Sequence, residues 1–229
     1  MMPVAVAVMA KAPVAGAVKT RLTPPLTARD AASLYRCFLL DKLAQVRSLT
    51  HAHGVVAYSP PGASAIFETL APGFLLLPQR GPDLGMRLAN SLGELLARGH
   101  AGAIAVDSDT PTLPTDFLQQ GVDALMRGDI DVVIGPSDDG GYYLIGVRAE
   151  RPELFQDMPW STPVVLPETL RRARAAGLRT ARLPAWFDVD TPADLERLQA
   201  SSATPGAGIA GHTTRFLAGL ARPAGGSGG

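Results

Sequence analysis

Short apolar runs alternate with stretches whose apolar residues recur at helical spacing, and this alternation narrows the fold more than any other feature of the chain. Val4–Met9 is β-branched and apolar on both parities, the pattern of a strand buried on both faces of a parallel sheet. A loop punctuated by Gly and Pro follows, from Ala10 to Pro25. A helix is then predicted from about Thr27, as its N-cap, to about Thr50, because Tyr35, Leu39, Leu43 and Val46 share one face. His53–Tyr58 reads as a second strand, Ser64–Leu70 as a short helix and Phe74–Leu77 as a third strand. Leu84–Arg98 carries the stripe Leu88, Leu92, Leu95 and Leu96; Ala103–Val106 is a fourth strand and Thr115–Arg127 another helix. This order predicts a parallel, doubly wound sheet.

The rhythm then breaks. Asp131–Gly135 and Tyr142–Val147 are strand-like runs separated only by Pro136–Gly141, too little chain for a helical crossover. The pair is therefore an antiparallel excursion. A helix near Pro163–Ala176, a strand over Arg179–Leu183 and a helix over Pro192–Gln199 complete a three-layer α/β/α sandwich with a mixed, mostly parallel sheet. Ala200–Gly229 is rich in Ser, Ala and Gly and reads as a loose tail, with at most a helical turn over Thr213–Leu220. There is no internal repeat.

Composition bounds the partners. The 229 residues suit one large domain, and 46% hydrophobic against 18% charged residues suits a buried core rather than disorder. A formal net charge of zero gives no support for a nucleic-acid or anionic-membrane partner. No stretch reaches the roughly 20 apolar residues of a membrane span. Val4–Met9 is too short for a signal core, lacks a preceding basic residue and runs into Lys11. A single cysteine, Cys37, excludes an internal disulfide and is expected to be a small buried thiol in a reducing, cytoplasmic setting. Four scattered His form no zinc pattern, and His51 and His53 at a helix-to-strand join read as solvated.

In open α/β sheets ligands bind outside the carboxyl ends of the strands, so those loops matter most. The loop after the first strand holds Lys11, Gly16, Lys19, Thr20 and Arg21, and no acidic residue precedes Asp30. Three cations on a Gly-containing loop suit a polyphosphate, although a solvated basic loop has the same composition. The Walker A order is absent. After the fourth strand, Asp107 and Asp109 stand two apart, a costly placement unless a hard divalent ion or an Asx-type turn compensates them. A second acidic point is Asp188-Val-Asp190-Thr-Pro192, which opens the last helix. Capping accounts for Asp190 or Thr191 but not Asp188, and either carboxylate facing Asp109 would complete a metal site. Between them, Asp138-Asp139-Gly140-Gly141 has turn chemistry, and Asp138 or Asp139 could also accept from hydroxyls. From residue 101 to 145 there are eight Asp and one basic residue, Arg127, so a basic front faces an acidic middle.

Taken together, the framework resembles the GT-A superfamily of nucleotidyltransferases and nucleotide-sugar glycosyltransferases. The strings Lys11-Ala-Pro-x-x-Gly-x-x-Lys-Thr-Arg-Leu22, Asp83-Leu-Gly-x-Arg87, Asp107-Ser-Asp-x-Pro111, Asp138-Asp-Gly-Gly-Tyr-Tyr143, Trp160-Ser-Thr162 and Asp188-Val-Asp-Thr-Pro192 resemble, more narrowly, the bacterial arsenosugar-biosynthesis-type glycosyltransferase family. The likeness spans roughly residues 4–200. The first loop is also similar to that of 2-phospho-lactate guanylyltransferase. The later Asp-Thr-Pro-x-Asp-Leu element is shared with molybdenum-cofactor guanylyltransferases and CMP-sugar synthetases, although the Gly-Gly-rich opening of the former is missing.

The resemblance implies a nucleotide-binding transferase domain over residues 1–200, with 201–229 as a tail. It implies Mg²⁺ or Mn²⁺ on Asp109 and Asp190, with Asp107 and Asp188 as the other candidates. Lys11, Lys19 and Arg21 become a phosphate clamp, with Gly16, Thr20, Asp83 and Gly85 completing the nucleotide side. Asp109, Asp190 and Lys19 are the expected catalytic group. Asp138, Asp139, Gly140, Gly141, Tyr142, Tyr143, Trp160, Ser161 and Thr162 are expected around a small-molecule acceptor. Two reactions fit, glycosyl transfer from a nucleotide diphosphate sugar and nucleotidyl transfer with release of pyrophosphate. The Asp-x-Asp string favours the first, and three cations suit the triphosphate of the second. A non-catalytic nucleotide-binding module is the third reading.

Overall fold

The first apolar run forms β1 (Val4–Lys11), and its alternation divides the core in two. Val4, Val6, Val8 and Ala10 belong to one hydrophobic cluster, Ala5 and Ala7 to the other. The computed structural model describes residues 2–202 and 211–220. Its sheet adds β2 (Ala52–Ser59), β3 (Leu75–Pro78), β4 (Ala103–Val106), β5 (Val132–Pro136), β6 (Tyr142–Val147) and β7 (Thr180–Arg182), in the order β3-β2-β1-β4-β6-β5-β7. β6 runs antiparallel to both neighbours, while the other pairs are parallel. The short 137–141 connection thus produces the reversal its length requires.

The helices are α1 (Ala28–Ser48), α2 (Ser64–Leu70), α3 (Leu84–Ala97), α4 (Thr115–Arg127), α5 (Val165–Ala175), α6 (Pro192–Ser202) and α7 (Gly211–Leu220). Phe38, Phe67, Val122, Leu198 and Leu217 bring α1, α2, α4, α6 and α7 into the first cluster. Leu88, Leu92, Leu95 and Ala173 bring α3 and α5 into the second. Two helical layers therefore enclose the sheet, a three-layer α/β/α sandwich. Thr27 caps α1 as expected: its Oγ1 accepts from Asp30 N at 3.1 Å. The helix stops at Ser48 because Leu49 turns to extended backbone.

Three expectations change. The stretch read as a loose tail contains α7, docked on α1 by the buried Asp41 carboxylate, which accepts from His212 N, Thr213 N and Thr213 Oγ1 at 3.0, 2.8 and 2.6 Å. Charge at an N-terminus thus anchors a helix whose flanking composition suggested none. Cys37 is half-buried rather than enclosed. His53 is not simply solvated, since its Nδ1 lies 3.4 Å from Nε2 of the buried His100. Among the described residues no helix is long and apolar enough to cross a membrane.

β1 is flanked by β2 on one side and β4 on the other, so the winding changes direction between β1 and β4. In open sheets of this kind the crevice outside the carboxyl ends of the strands at such a switch is where ligands bind. The loops that meet here are the ones carrying Lys11–Arg21 and Asp107–Thr110.

Candidate active site

The crevice is braced from behind. Lys11 N donates to Tyr35 Oη at 3.0 Å, and Ser108 Oγ donates to Met9 O at 3.0 Å. The Ser108 proton being committed, the Tyr35 hydroxyl donates to Ser108 Oγ across 2.9 Å. One buried latch thus ties β1, α1 and the loop after β4. Burial, and then the Asp109 charge, push the Tyr35 phenol well above its ordinary pKa, so it stays a neutral donor.

The basic loop returns to the crevice through a short 3-10 turn, Thr20–Leu22, pinned by the fully buried Leu22. Lys19, just before that turn, adopts left-handed backbone at φ 48°, ψ 36°. Its Nζ lies 2.7 Å from Asp109 Oδ1, 2.6 Å from Asp190 Oδ1 and 2.8 Å from Val189 O. The ion pair with Lys19 is the contact that the buried Asp109 Oδ1 makes. Burial alone would lower the Lys19 pKa, but the two carboxylates outweigh it and hold the ammonium above its usual range. Aromatic faces of Tyr35 and Phe38, about 6 Å away, add to the cation's surroundings.

Asp190 is free to make this contact because its neighbours cap α6. Asp194 Oδ2 accepts from Thr191 N and Thr191 Oγ1, both at 2.7 Å, and Thr191 Oγ1 accepts from Asp194 N at 3.3 Å. This is a reciprocal capping box with Pro192 in the first helical position. Val189 N donates to Asp109 O at 2.9 Å, locking the two acidic loops side by side. Asp188 does not join the pair at Lys19. It accepts from Ser137 Oγ at 3.2 Å, and burial, then Asp190 and Asp139, raise its pKa to about 6.

A second lysine stands behind the acidic loop. Lys42, fully buried on α1, donates to Thr110 O at 3.0 Å and Thr110 Oγ1 at 2.9 Å. Thr110 Oγ1 donates onward to Asp107 Oδ1 at 2.6 Å. Burial lowers the Lys42 pKa against the pull of Asp107; burial raises that of Asp107 against the pull of Lys42. Lys42 lies on the stripe of Tyr35, Leu39 and Val46 at spacings of four, three and four, so a basic residue at a core position was the signal for it.

In front of these groups lies a cavity of about 540 Å³. Lys11, Lys19, Thr20 and Arg21 line one side, Asp107, Asp109 and Asp190 another; Gln79, Arg87 and Ser161 complete it. Tyr35, Ser108, Gln79 and Arg87 are members that the residue-by-residue reading of the loops omits, although Arg87 closes one of the recognised strings. Gly16, with φ +78°, is an exposed bend of the basic loop. Asp83 caps α3, accepting from Met86 N at 2.8 Å. Gly85 faces Trp160: a Cβ there would lie 2.4 Å from Phe155 O and 2.9 Å from Trp160 Nε1, so its smallness serves packing.

The remaining residues expected at the acceptor are dispersed. Asp138 pairs with Arg197 at 3.0 Å, and Asp139 Oδ1 accepts from Gly141 N at 2.9 Å within the turn. Gly140 has φ +89° and lies against Pro163, with a would-be Cβ 2.5 Å from its Cα. Tyr143 is core, its hydroxyl donating to Pro184 O at 3.0 Å, and Tyr142 packs edge-on to Trp160. Thr162 Oγ1 donates to Pro159 O at 2.6 Å. Ser161, at φ 62°, is the one of this set lining the cavity with Lys19. A second cavity of about 470 Å³ touches α3 near Arg80, Glu94, Glu150 and Arg151, away from these carboxylates. Among the described residues no group of three or more His, Cys, Asp or Glu is arranged to hold a metal ion.

Residues 42–162, more than half of the chain, match the family described as an uncharacterized protein conserved in bacteria (DUF2064). The chain belongs to this family. No curated protein matches it. Among solved structures, it is similar to a candidate nucleotide-diphospho-sugar transferase from Desulfovibrio desulfuricans G20, at 31% identity and a TM-score of 0.88, over 96% of this chain and 95% of that one. A cytidylyltransferase from Leptospira borgpetersenii shares the fold at 12% identity and a TM-score of 0.58, over 96% and 94%. Glucosyl-3-phosphoglycerate synthase from Mycobacterium tuberculosis, in complex with Mn²⁺, UDP and glucosyl-3-phosphoglycerate, shares it at 14% and 0.52, over 88% and 78%. The fold of this DUF2064 member is thus the GT-A-like one of nucleotide-diphospho-sugar transferases and cytidylyltransferases.

Proposed function

We propose that this chain is a nucleotide-dependent transferase that moves a sugar from a nucleotide diphosphate sugar to a small acceptor, with its site in residues 1–200. The observation that carries the reading is the meeting of Lys19 with Asp109 and Asp190 in the cavity that Lys11, Thr20 and Arg21 also line. There the cations can meet a diphosphate directly, and the carboxylates can hold a cation that balances its charge. The likeness to a candidate nucleotide-diphospho-sugar transferase over almost the whole of both chains supports the same donor class. The arsenosugar-biosynthesis-type family is the narrower form of this reading.

The carboxylates suit a divalent cation. Asp109 and Asp190 already converge on one positive nitrogen. Mg²⁺ needs only one or two carboxylates when phosphates and waters fill its shell, and Mn²⁺ suits the same oxygens. Asp109 and Asp190 would hold it, with Asp107 beside them; when bound it neutralises diphosphate charge as the leaving group forms. Lys11 and Arg21 orient the diphosphate by charge-assisted hydrogen bonds. Tyr35 and Ser108 hold the two loops at fixed separation. Ser161 lines the same cavity and would meet the acceptor. In the transfer the anomeric carbon–oxygen bond breaks, the diphosphate leaves with the electron pair, an acceptor oxygen bonds that carbon, and the acceptor's proton passes to the departing diphosphate.

Nucleotidyl transfer is the second reading, favoured by the three cations of the first loop. Incubation with nucleoside triphosphates and nucleotide-sugars in Mg²⁺ or Mn²⁺ separates the two. Nucleoside diphosphate is the expected product; pyrophosphate would replace the first reading with the second. Nucleotide binding without either product would leave a binding module.

A further inference from the structure

Lys19 does not extend toward the open cavity as a waiting phosphate ligand would. Its side chain is only 4% exposed, and its ammonium is fully engaged by Asp109, Asp190 and Val189 O. Two carboxylates converging this closely repel each other unless a cation lies between them. The ammonium is that cation, and it stands where a shared divalent ion would have to stand. Its backbone is held in a left-handed conformation that a non-glycine residue rarely adopts, so the placement is enforced by the loop.

We propose that Lys19 is a resident counter-ion which excludes a divalent cation from Asp109 and Asp190 until phosphate oxygens draw its ammonium away. This rests on the transferase reading above and adds an order to it: donor phosphates and the divalent ion bind synergistically, and the ion binds poorly alone. The lysine stem is flexible enough for the exchange, and Thr20 and Arg21 border the same cavity where its new partners would arrive. Each ligand then raises the affinity of the other by the same factor.

The test uses Mn²⁺ alone, without nucleotide, titrated into the full chain while free Mn²⁺ is followed by electron paramagnetic resonance. Lys19→Met is expected to bind Mn²⁺ at least about tenfold more tightly than the wild type, and adding Asp109→Asn to it is expected to abolish that gain. Lys19→Gln, which keeps a hydrogen-bonding head without the charge, should show the same gain should the Met variant fold poorly. Unchanged or weaker Mn²⁺ binding in the folded variants would overturn the proposal, as would a gain that survives Asp109→Asn. Because no donor is present, these outcomes are independent of the product assay. Failure of sugar transfer with the Mn²⁺ gain intact would remove the transferase reading alone, and the reverse result would remove only the counter-ion.

Discussion

Two lysines flank one acidic loop, and they differ in what lies beyond them. Lys42 approaches from the core side, is sealed under α1, and reaches Asp107 through the Thr110 hydroxyl. Lys19 approaches from the cavity side and touches Asp109 and Asp190 directly. Similar charges thus serve different ends. A sealed cation can only fix geometry, because nothing can replace it without unfolding the protein. A cation at a cavity wall can be exchanged for an incoming one.

The strongest test of this contrast is at the exchangeable side. Asp109→Asn should reduce cation-dependent turnover by about 100-fold or more, as expected for loss of one electrostatic contact to the reacting group. Its melting temperature should change little, since Lys19 keeps Asp190 and Val189 O as partners. Turnover close to wild type at saturating Mg²⁺ and Mn²⁺ would remove the cation site from the mechanism.

On the sealed side the effect should appear in folding. Lys42→Met leaves the Thr110 carbonyl and Asp107 without their buried cation, and removing one member of such a group costs about 3 kcal/mol or more. Chemical denaturation measures this. Added Mn²⁺ should raise the melting temperature of Lys19→Met but leave that of Lys42→Met unimproved. Equal rescue of both would erase the distinction between sealed and exchangeable.

An exposed ion pair supplies the lower bound. Arg179 donates to both oxygens of Asp131 at 2.9 Å, joining the start of β5 to the start of β7. These hydrogen bonds hold the Asp131 carboxyl well below the ordinary carboxylate range. A depressed folded pKa contributes stability that is full above the unfolded value of about 3.9 and is lost as pH falls through the folded value. Asp131→Asn should therefore cost no more than about 1 kcal/mol at neutral pH, and nothing once the wild-type carboxyl is itself protonated. Denaturation curves at pH 7 and in strong acid would show whether the gap closes.

The sheet was legible because each strand that is buried on both faces is written as an uninterrupted apolar run, and Val4–Met9 and Ala103–Val106 are the plainest cases. The reversed β6 was legible from the length of chain before it. The Lys19, Asp109 and Asp190 loops were legible because strand ends are where such chemistry must sit. Lys42 and Tyr35 were less so: they share a helical stripe with Leu39 and Val46, and spacing reports the face of a residue, not its hydrogen bonds. Asp138 and Asp139 show the opposite difficulty. A turn can spend its acidic side chains on itself, as Asp139 does on Gly141 N, or on a surface partner, as Asp138 does on Arg197. α7 was obscured by its flanks, since the Asp41 that anchors it lies some 170 residues earlier.

The reversal of β6 also determines where this architecture tolerates change. The rim built from β1 and β4 belongs to strands whose register is fixed by neighbours on both sides. The 137–141 connection is pinned at Ser137, Asp138 and Gly140, but its exposed Asp138–Asp139 tip lies outside that rim, and lengthening a loop at such a tip is thermodynamically cheap. An insertion at that tip would therefore be tolerated while the basic loop and the acidic pair remain in place. The crevice between β1 and β4 and the surface beyond β6 would then diverge at separate rates along one chain.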